Sequence, residues 1–257
     1  MENLEGKIVL ITGASSGIGE ACAKKFAELK ANLIITARRK ERIEKLSNEL
    51  SRKHNIKVLP ISLDVRNFNS VKLFYENLAP EWKAIDILVN NAGLARGLDK
   101  FYEGKIEDWD EMIDTNIKGL LYVSRVVVPQ MVEREYGHII NIGSTAGHEP
   151  YPMGNVYVAT KFAVKALSQS FRIDVLEKGI KVTSVDPGMV ETEFSKVRFH
   201  GDEQRAKKVY EGLQPLTPDD VADAVIFAAT RPRHVNINQI VLTPLAQASS
   251  NFVYRKK

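Results

Sequence analysis

Lys7-Ile8-Val9-Leu10-Ile11-Thr12-Gly13-Ala14-Ser15-Ser16-Gly17-Ile18-Gly19 is the stretch that decides the fold. Lys7 to Ile11 reads as a short buried strand, because Ile8 onward is an unbroken apolar run bounded by a turn signal. The glycines follow at once in a Gly-x-x-x-Gly-x-Gly spacing, and a helical pattern then runs to about Lys30. Strand, glycine-rich turn and helix together form a site for the pyrophosphate of a dinucleotide. The glycines allow a tight turn and close approach of the backbone, and the first helical turn presents free N–H groups. The first gap is one residue longer than in the commonest dinucleotide fingerprint. Gly13, Ser15, Ser16, Gly17, Ile18 and Gly19 are the candidate cofactor residues of this loop.

Working outward, Asn32 to Ala37 is a second strand, and it ends in Arg38-Arg39. An NAD-type site places a carboxylate there for the ribose 2′-hydroxyl, whereas here none occurs before Glu41. Two guanidiniums at that point suit a 2′-phosphate, which arginine binds bidentately, so the cofactor is expected to be NADP(H). The competing use of both arginines is to open the charged helix that runs from Arg39 to about Lys53. A third strand, Lys57 to Leu63, ends in Asp64-Val65, where Asp64 is a candidate adenine contact or a helix cap. A helix over Asn67 to Leu78 and a fourth strand over Ile85 to Val89 follow, the latter running into Asn90-Asn91-Ala92-Gly93.

Glu107 to about Glu135 is expected to be one long helix, apolar almost all round from Ile117 to Val128, with Pro129 kinking it or ending a turn. A fifth strand, His138 to Ile142, ends in Gly143-Ser144. The next helix carries Tyr157 and runs to about Lys178, also apolar on several faces. The two apolar helices are expected to meet another subunit as well as the sheet. A sixth strand, Ile180 to Val185, closes in Asp186-Pro187-Gly188. Residues 189–214 are polar and less regular, a helix starts with Thr217 as cap and Pro218 in its first turn, and Gln239 to Thr243 is a last strand. The tail from Pro244, with Phe252 and Tyr254, is expected to dock on a neighbouring subunit.

Strand and helix alternate throughout. The expected fold is therefore α/β: a single Rossmann-type doubly wound parallel sheet of about seven strands, with helices on both faces and residues 1–257 forming one domain. In such a sheet the points just after Thr12, Ala37, Leu63, Asn90, Ile142 and Asp186 share one edge, where ligands bind.

The composition is that of an ordinary soluble protein: 257 residues, 44% hydrophobic, 26% charged, with a net charge of +4 and the basic residues dispersed. That dispersion argues against a nucleic-acid surface. Cys22 is the single cysteine, so no intrachain disulfide forms, and its apolar-rich surroundings suit a buried thiol. The polar opening and the lack of a long apolar run suggest neither a signal peptide nor a membrane span; cytoplasmic residence is the expectation. No metal cluster is visible.

Tyr157 and Lys161 stand four apart, one turn apart on one helix face. A cation beside a phenol lowers its pKa from about 10 toward the range useful for acid–base catalysis. The pair alone is uninformative, since a chain with this much tyrosine and lysine is apt to contain one by chance.

Taken together, Thr12-Gly13-x-x-x-Gly17-Ile18-Gly19, Asn90-Asn91-Ala92-Gly93, Asn116, Ser144, Tyr157-x-x-x-Lys161 and Pro187-Gly188-x-x-x-Thr192 resemble the short-chain dehydrogenase/reductase family over essentially the full length. The resemblance implies that Tyr157 exchanges a proton with the substrate oxygen and that Ser144 holds that oxygen. It implies that Lys161 lowers the tyrosine pKa and holds the nicotinamide ribose, and that Asn116 anchors a water leading to solvent. It further implies cofactor contacts from Arg38, Arg39, Asp64, Val65, Asn91, Pro187, Gly188, Val190 and Thr192, the last at the carboxamide.

Gly154 to Tyr157, Val197 to Asp202 and Ala229 to Asn238 resemble more narrowly the NADP-dependent serine / 3-hydroxy acid dehydrogenase branch. Its members oxidise serine, L-allo-threonine and related 3-hydroxy acids, reduce malonic semialdehyde, and form homotetramers. A reductase of bulkier ketones or 3-oxoacyl thioesters is the alternative. Such reductases usually end in a Gly-Gly-containing strand turn, whereas this chain has Ile240 to Pro244. A 3-hydroxy acid needs a cation for its carboxylate; Arg198, Arg96 and His148 are candidates, with Arg198 favoured because its loop matches the branch.

Overall fold

Ile8 and Leu10 point to one side of strand β1 (Ile8–Thr12), and Val9 and Ile11 to the other. All four are buried, because the pleat sends alternate residues to two separate cores and each core is roofed by helices. The computed structural model describes residues 2–256. On the Val9 side the roof is α1 (Gly17–Glu28), α2 (Lys40–His54) and α10 (Pro218–Ala229), with Phe26, Leu50 and Val225 fully buried. On the Ile8 side it is α3 (Phe68–Glu76) and α6 (Leu120–Arg134), with Val71, Val127 and Met131 buried. The remaining helices are α4 (Pro80–Lys83), α5 (Ile106–Ile113), α7 (Asn155–Asp174), α8 (Phe194–Arg198) and α9 (Glu203–Lys208).

The other strands are β2 (Asn32–Ala37), β3 (Val58–Ser62), β4 (Ile87–Asn90), β5 (His138–Ile142), β6 (Lys181–Pro187) and β7 (Gln239–Leu242). They form one seven-stranded sheet in the order β3-β2-β1-β4-β5-β6-β7, parallel at every pairing. The expected doubly wound architecture is thus the observed one. The strand order reverses between β1 and β4, which opens a crevice beyond their carboxyl ends. That switch point is tied by side chains. Asn91 Nδ2 donates to Thr12 O at 2.8 Å, and the backbone N–H groups of Asn91 and Ala92 donate to Thr12 Oγ1 at 3.0 Å.

Two local expectations are corrected, the unbroken helix from Glu107 and the end of the Tyr157 helix. The long helix from Glu107 is interrupted: α5 passes into a π-helical turn, Asp114–Gly119, and then into α6. Pro129 lies inside α6, which continues through it to Arg134. The Tyr157 helix ends at Asp174, and a separate 3-10 turn covers Leu176–Lys178. The tail folds back on its own chain: Gln247 is buried and accepts from Met189 N–H at 2.8 Å, and Lys256 N–H donates to Gly212 O at 2.8 Å. Phe252 and Tyr254 remain exposed. The start of α10 is as expected, with Thr217 and Asp220 forming a reciprocal capping box ahead of Pro218. Cys22 is fully buried, and burial pushes its thiol up to about 12, an inert core group. Among the described residues no helix is long and apolar enough to cross a membrane, and no cluster of His, Cys, Asp or Glu could hold a metal ion.

Candidate active site

The carboxyl ends of β1 to β6 open into a cleft of about 340 Å³, within the usual range for small-molecule sites. Its lining follows the strand order. After β3 come Asp64 and Val65, after β2 Arg38 and Arg39, and after β1 Gly13, Ser15, Ser16, Gly17 and Ile18. After β4 comes Asn91, after β5 Ser144, and from β6 onward Pro187, Gly188, Val190 and Thr192; Tyr157 and Lys161 reach in from α7. Residues scattered over most of the sequence are therefore gathered by topology. Gly19, Asn116 and Arg198 do not line this cleft.

The glycine-rich turn is shaped for close backbone approach. Gly13 has φ +69°, and a Cβ there would sit 2.9 Å from Ala92 Cα. Gly19 lies beneath the cleft, where any side chain would collide with Asn91 Nδ2 and Gly13 O; it lets α1 pack on the strand. Arg39 lies over the turn, donating to Ser15 Oγ at 3.0 Å and Ser16 Oγ at 2.6 Å. It also pairs with Glu193 at 2.7 Å, and Arg42 reaches the same carboxylate at 2.8 Å. Hydrogen bonds from Arg39 and Arg42 hold the Glu193 carboxyl down at about 2. Arg38 is half exposed and only 3.5 Å from Glu111. Asp64 is held by Arg66 at 2.6 Å, which lowers its pKa.

At the far end Tyr157 and Lys161 are both buried on one face of α7. Lys161 Nζ donates to Ile142 O at 2.9 Å and lies 5.9 Å from the Tyr157 ring centroid. Burial holds Lys161 down at about 8, opposed by the charge of Asp186. Burial pushes Tyr157 up, and the charge of Arg198 and the hydroxyl of Ser144 pull it back. Arg198 is thus a second cation beside the phenol. Its guanidinium carbon is 5.1 Å from the Tyr157 ring centroid.

Asn116 sits in the π turn, whose wider winding turns its amide inward. Its Nδ2 donates to Leu94 O at 2.8 Å and Thr160 Oγ1 at 3.0 Å, and its Oδ1 accepts from Leu94 N–H at 2.9 Å. Gly93 packs between Asn116 Oδ1 and Lys161 Nζ.

The three carboxylate-binding candidates separate clearly. His148 is bound to Asp186 at 2.7 Å and Arg96 to Glu111 at 2.6 Å. Arg198 donates to the hydroxyl of Tyr151 and lines a smaller pocket together with Tyr157, while its buried Nε has no partner among the described residues. Tyr151, Phe194, Glu193 and Asp186 escaped sequence reasoning. Phe194 packs edge-on to Tyr157 at 5.5 Å, and its place two residues after Thr192 was the one local signal. Gly154 had a different significance: it admits the Tyr151 ring, since a Cβ there would lie 2.5 Å from Tyr151 Cε2.

Comparison with known proteins places the chain among characterised dehydrogenases by sequence and fold. The short chain dehydrogenase family model matches residues 7–203. The NADP-dependent 3-hydroxy acid dehydrogenase YdfG of Salmonella typhi is 49% identical over 94% of this chain and 96% of its own length. The NADP-dependent 3-hydroxy acid dehydrogenase of Schizosaccharomyces pombe is 44% identical over 100% of both chains. Among solved structures, a closed form of serine dehydrogenase complexed with NADP+ superposes with a TM-score of 0.92 at 46% identity, covering 97% of this chain and 100% of that one. Serine dehydrogenase from Escherichia coli superposes at 0.82 with 43% identity, covering 94% and 99%. The chain belongs to the short-chain dehydrogenase family.

Proposed function

We propose that this NADP-dependent oxidoreductase interconverts small 3-hydroxy acids and the corresponding 3-oxo acids, with serine, L-allo-threonine and 3-hydroxypropionate/malonic semialdehyde as its substrate type. That it is an NADP-dependent dehydrogenase acting on CH–OH groups follows from its family and its relatives. The substrate class rests on Arg198: a guanidinium beside the Tyr157 ring with a buried, unpartnered Nε is suited to a substrate carboxylate.

The cleft fits the cofactor. The Gly13 turn leaves no room for a side chain, and Arg39 sits on Ser15 and Ser16, where a 2′-phosphate finds both a cation and hydroxyls. Gly17, Ile18, Asp64, Val65, Asn91, Pro187, Gly188, Val190 and Thr192 complete the holding surface, with Thr192 at the carboxamide; Gly19 supports it from below. NADP+ held there would supply the hydride acceptor for the carbinol carbon.

The chain's own residues manage the proton and the geometry. In oxidation the Tyr157 oxygen takes the hydroxyl proton; in reduction it returns one to the carbonyl oxygen. Ser144 hydrogen-bonds the same oxygen. Lys161 supports the ionised phenol and holds the nicotinamide ribose, and Asn116 supports a water path from Lys161. Arg198 fixes the carboxylate so that the carbinol carbon faces the cofactor. The same reading takes the chain as one domain and a cytoplasmic homotetramer, with exposed apolar residues of α7, Phe162 and Ile173, available for subunit contact.

Steady-state kinetics of Arg198→Ala test the reading. The KM for hydroxy acids should rise by about tenfold to a hundredfold, the equivalent of losing a charge-assisted hydrogen bond, while a neutral alcohol loses no affinity. An unchanged KM for the acids would remove Arg198 from the carboxylate site.

A further inference from the structure

Asp186 is a buried carboxylate to which the reaction assigns no part. It stands near the end of β6 with its side chain 2% exposed. Its Oδ2 accepts from His148 Nε2 at 2.7 Å and from Gln239 Nε2, and its Oδ1 accepts from the Ser184 hydroxyl. Gly143 lies directly against Oδ1, so close that a Cβ on it would overlap the oxygen. The backbone of β6 is already paired with β5 and β7, so these side-chain contacts are not needed to hold the strand.

What they hold is the turn after β5. Gly143 immediately precedes Ser144, and His148 follows the 3-10 turn Thr145–Gly147, so the carboxylate grips both ends of the segment that presents Ser144. With Nε2 donating to Asp186, His148 Nδ1 is the acceptor facing Lys165 Nζ at 3.3 Å. Immediately before the turn, Ile142 O accepts the Lys161 ammonium.

We propose that Asp186 is a positioning residue of the active site: its carboxylate fixes the turn that presents Ser144, and its negative charge keeps the proton on Lys161. The proposal rests on the Ser144-Tyr157-Lys161 reading given above. Among the described residues around Lys161, the carboxylate whose charge bears on it is Asp186. Tyr157 comes from its own helix, and the π turn and the loop after β4 bring the neutral Asn116 and Gly93. His148 is engaged with Asp186 and Lys165, and Arg198 of α8 faces Tyr157. Burial holds Lys161 down at about 8, and the charge of Asp186 opposes that drop. Removing the charge therefore lets Lys161 lose its proton at lower pH. A neutral Lys161 no longer favours the ionised phenol, so the acid limb of hydroxy-acid oxidation moves up in pH.

The test is the pH profile of kcat/KM for oxidation of one hydroxy acid by Asp186→Asn, with NADPH binding followed by fluorescence. The expected result is NADPH affinity within about threefold of wild type, kcat lower by about tenfold or more, and the acid limb raised by about half to one pH unit. A folded Asp186→Asn enzyme whose limb coincides with the wild-type limb overturns the proposal. His148→Asn is the second variant, since it keeps the charge and removes one grip on the turn. It should lower kcat and leave the limb in place; wild-type kcat in that variant overturns the anchoring role even if Asp186→Asn fails to fold. Tyr157→Phe separates this from the underlying reading, because turnover surviving that substitution removes the reading itself, whatever Asp186→Asn does.

Discussion

The Arg198 guanidinium carbon lies 5.1 Å from the Tyr157 ring centroid, closer than the Lys161 ammonium at 5.9 Å, which donates to Ile142 O. Two cations thus flank one buried phenol. Burial raises the phenol, and the Arg198 charge is the larger of the two influences opposing it. Arg198→Met, which keeps much of the bulk and removes the charge, should therefore raise the pH of the acid limb for oxidation of a neutral alcohol. A limb at the wild-type pH would mean that Arg198 does not act on the phenol.

Tyr157→Phe removes the phenol that the proposed mechanism uses to exchange the proton. Loss of turnover by about a hundredfold to ten-thousandfold is expected, with NADPH affinity near wild type by fluorescence titration. Loss of cofactor binding along with turnover would recast the residue as structural.

Cofactor preference should divide unevenly between the two arginines. Arg39 touches Ser15, Ser16 and Glu193, whereas Arg38 is half exposed and makes one long contact with Glu111. Arg39→Ala should weaken NADP(H) by about tenfold to a hundredfold and NAD(H) far less, with a smaller effect for Arg38→Ala. Equal weakening of both cofactors by the double variant would place the arginines away from the 2′-phosphate.

His138 gives a stability prediction. It is buried at the start of β5, with Nε2 against Thr183 Oγ1 at 2.8 Å and Nδ1 unpartnered. Burial, followed by the charge of Lys181, lowers its pKa to about 3. The unfolded chain binds a proton near the ordinary histidine value of about 6.5 and the folded chain does not. Stability contributed by the neutral ring is therefore lost as pH falls from about 6.5 toward about 3, at up to about 1.4 kcal/mol per pH unit. Urea denaturation of wild type and His138→Gln across that range should show a shallower decline in the variant; parallel declines would contradict the assignment.

The sheet was legible because its central strands are buried on both faces. β2 and β5 match their expected bounds, and β1 is displaced by one residue. Runs of apolar residues closed by Gly, Arg or Ser leave little freedom in placing such strands. The π turn at Asp114–Gly119 was not legible, because the same apolar stripe fits an α-helix and what distinguishes it is the Asn116 amide reaching Leu94. Most of the cleft could be anticipated from the positions that follow strands. The partners of its charged groups could not: Arg66 on Asp64, Glu193 on Arg39 and His148 on Asp186 all depend on how side chains settle after the chain has folded. The same holds for the tail, whose Gln247 contacts Met189 across a distance in sequence that no pattern reports.

The most direct measurement is initial-rate reduction of NADP+, followed at the NADPH absorbance band, with L-serine, L-allo-threonine, 3-hydroxypropionate, 3-hydroxybutyrate and a neutral secondary alcohol. The account predicts efficient turnover of the hydroxy acids and poor turnover of the neutral alcohol, because an Arg198 left without its carboxylate is an unpaired, partly buried cation. Turnover of the neutral alcohol alone would contradict it and move the enzyme to the reductases of bulkier ketones or acyl thioesters.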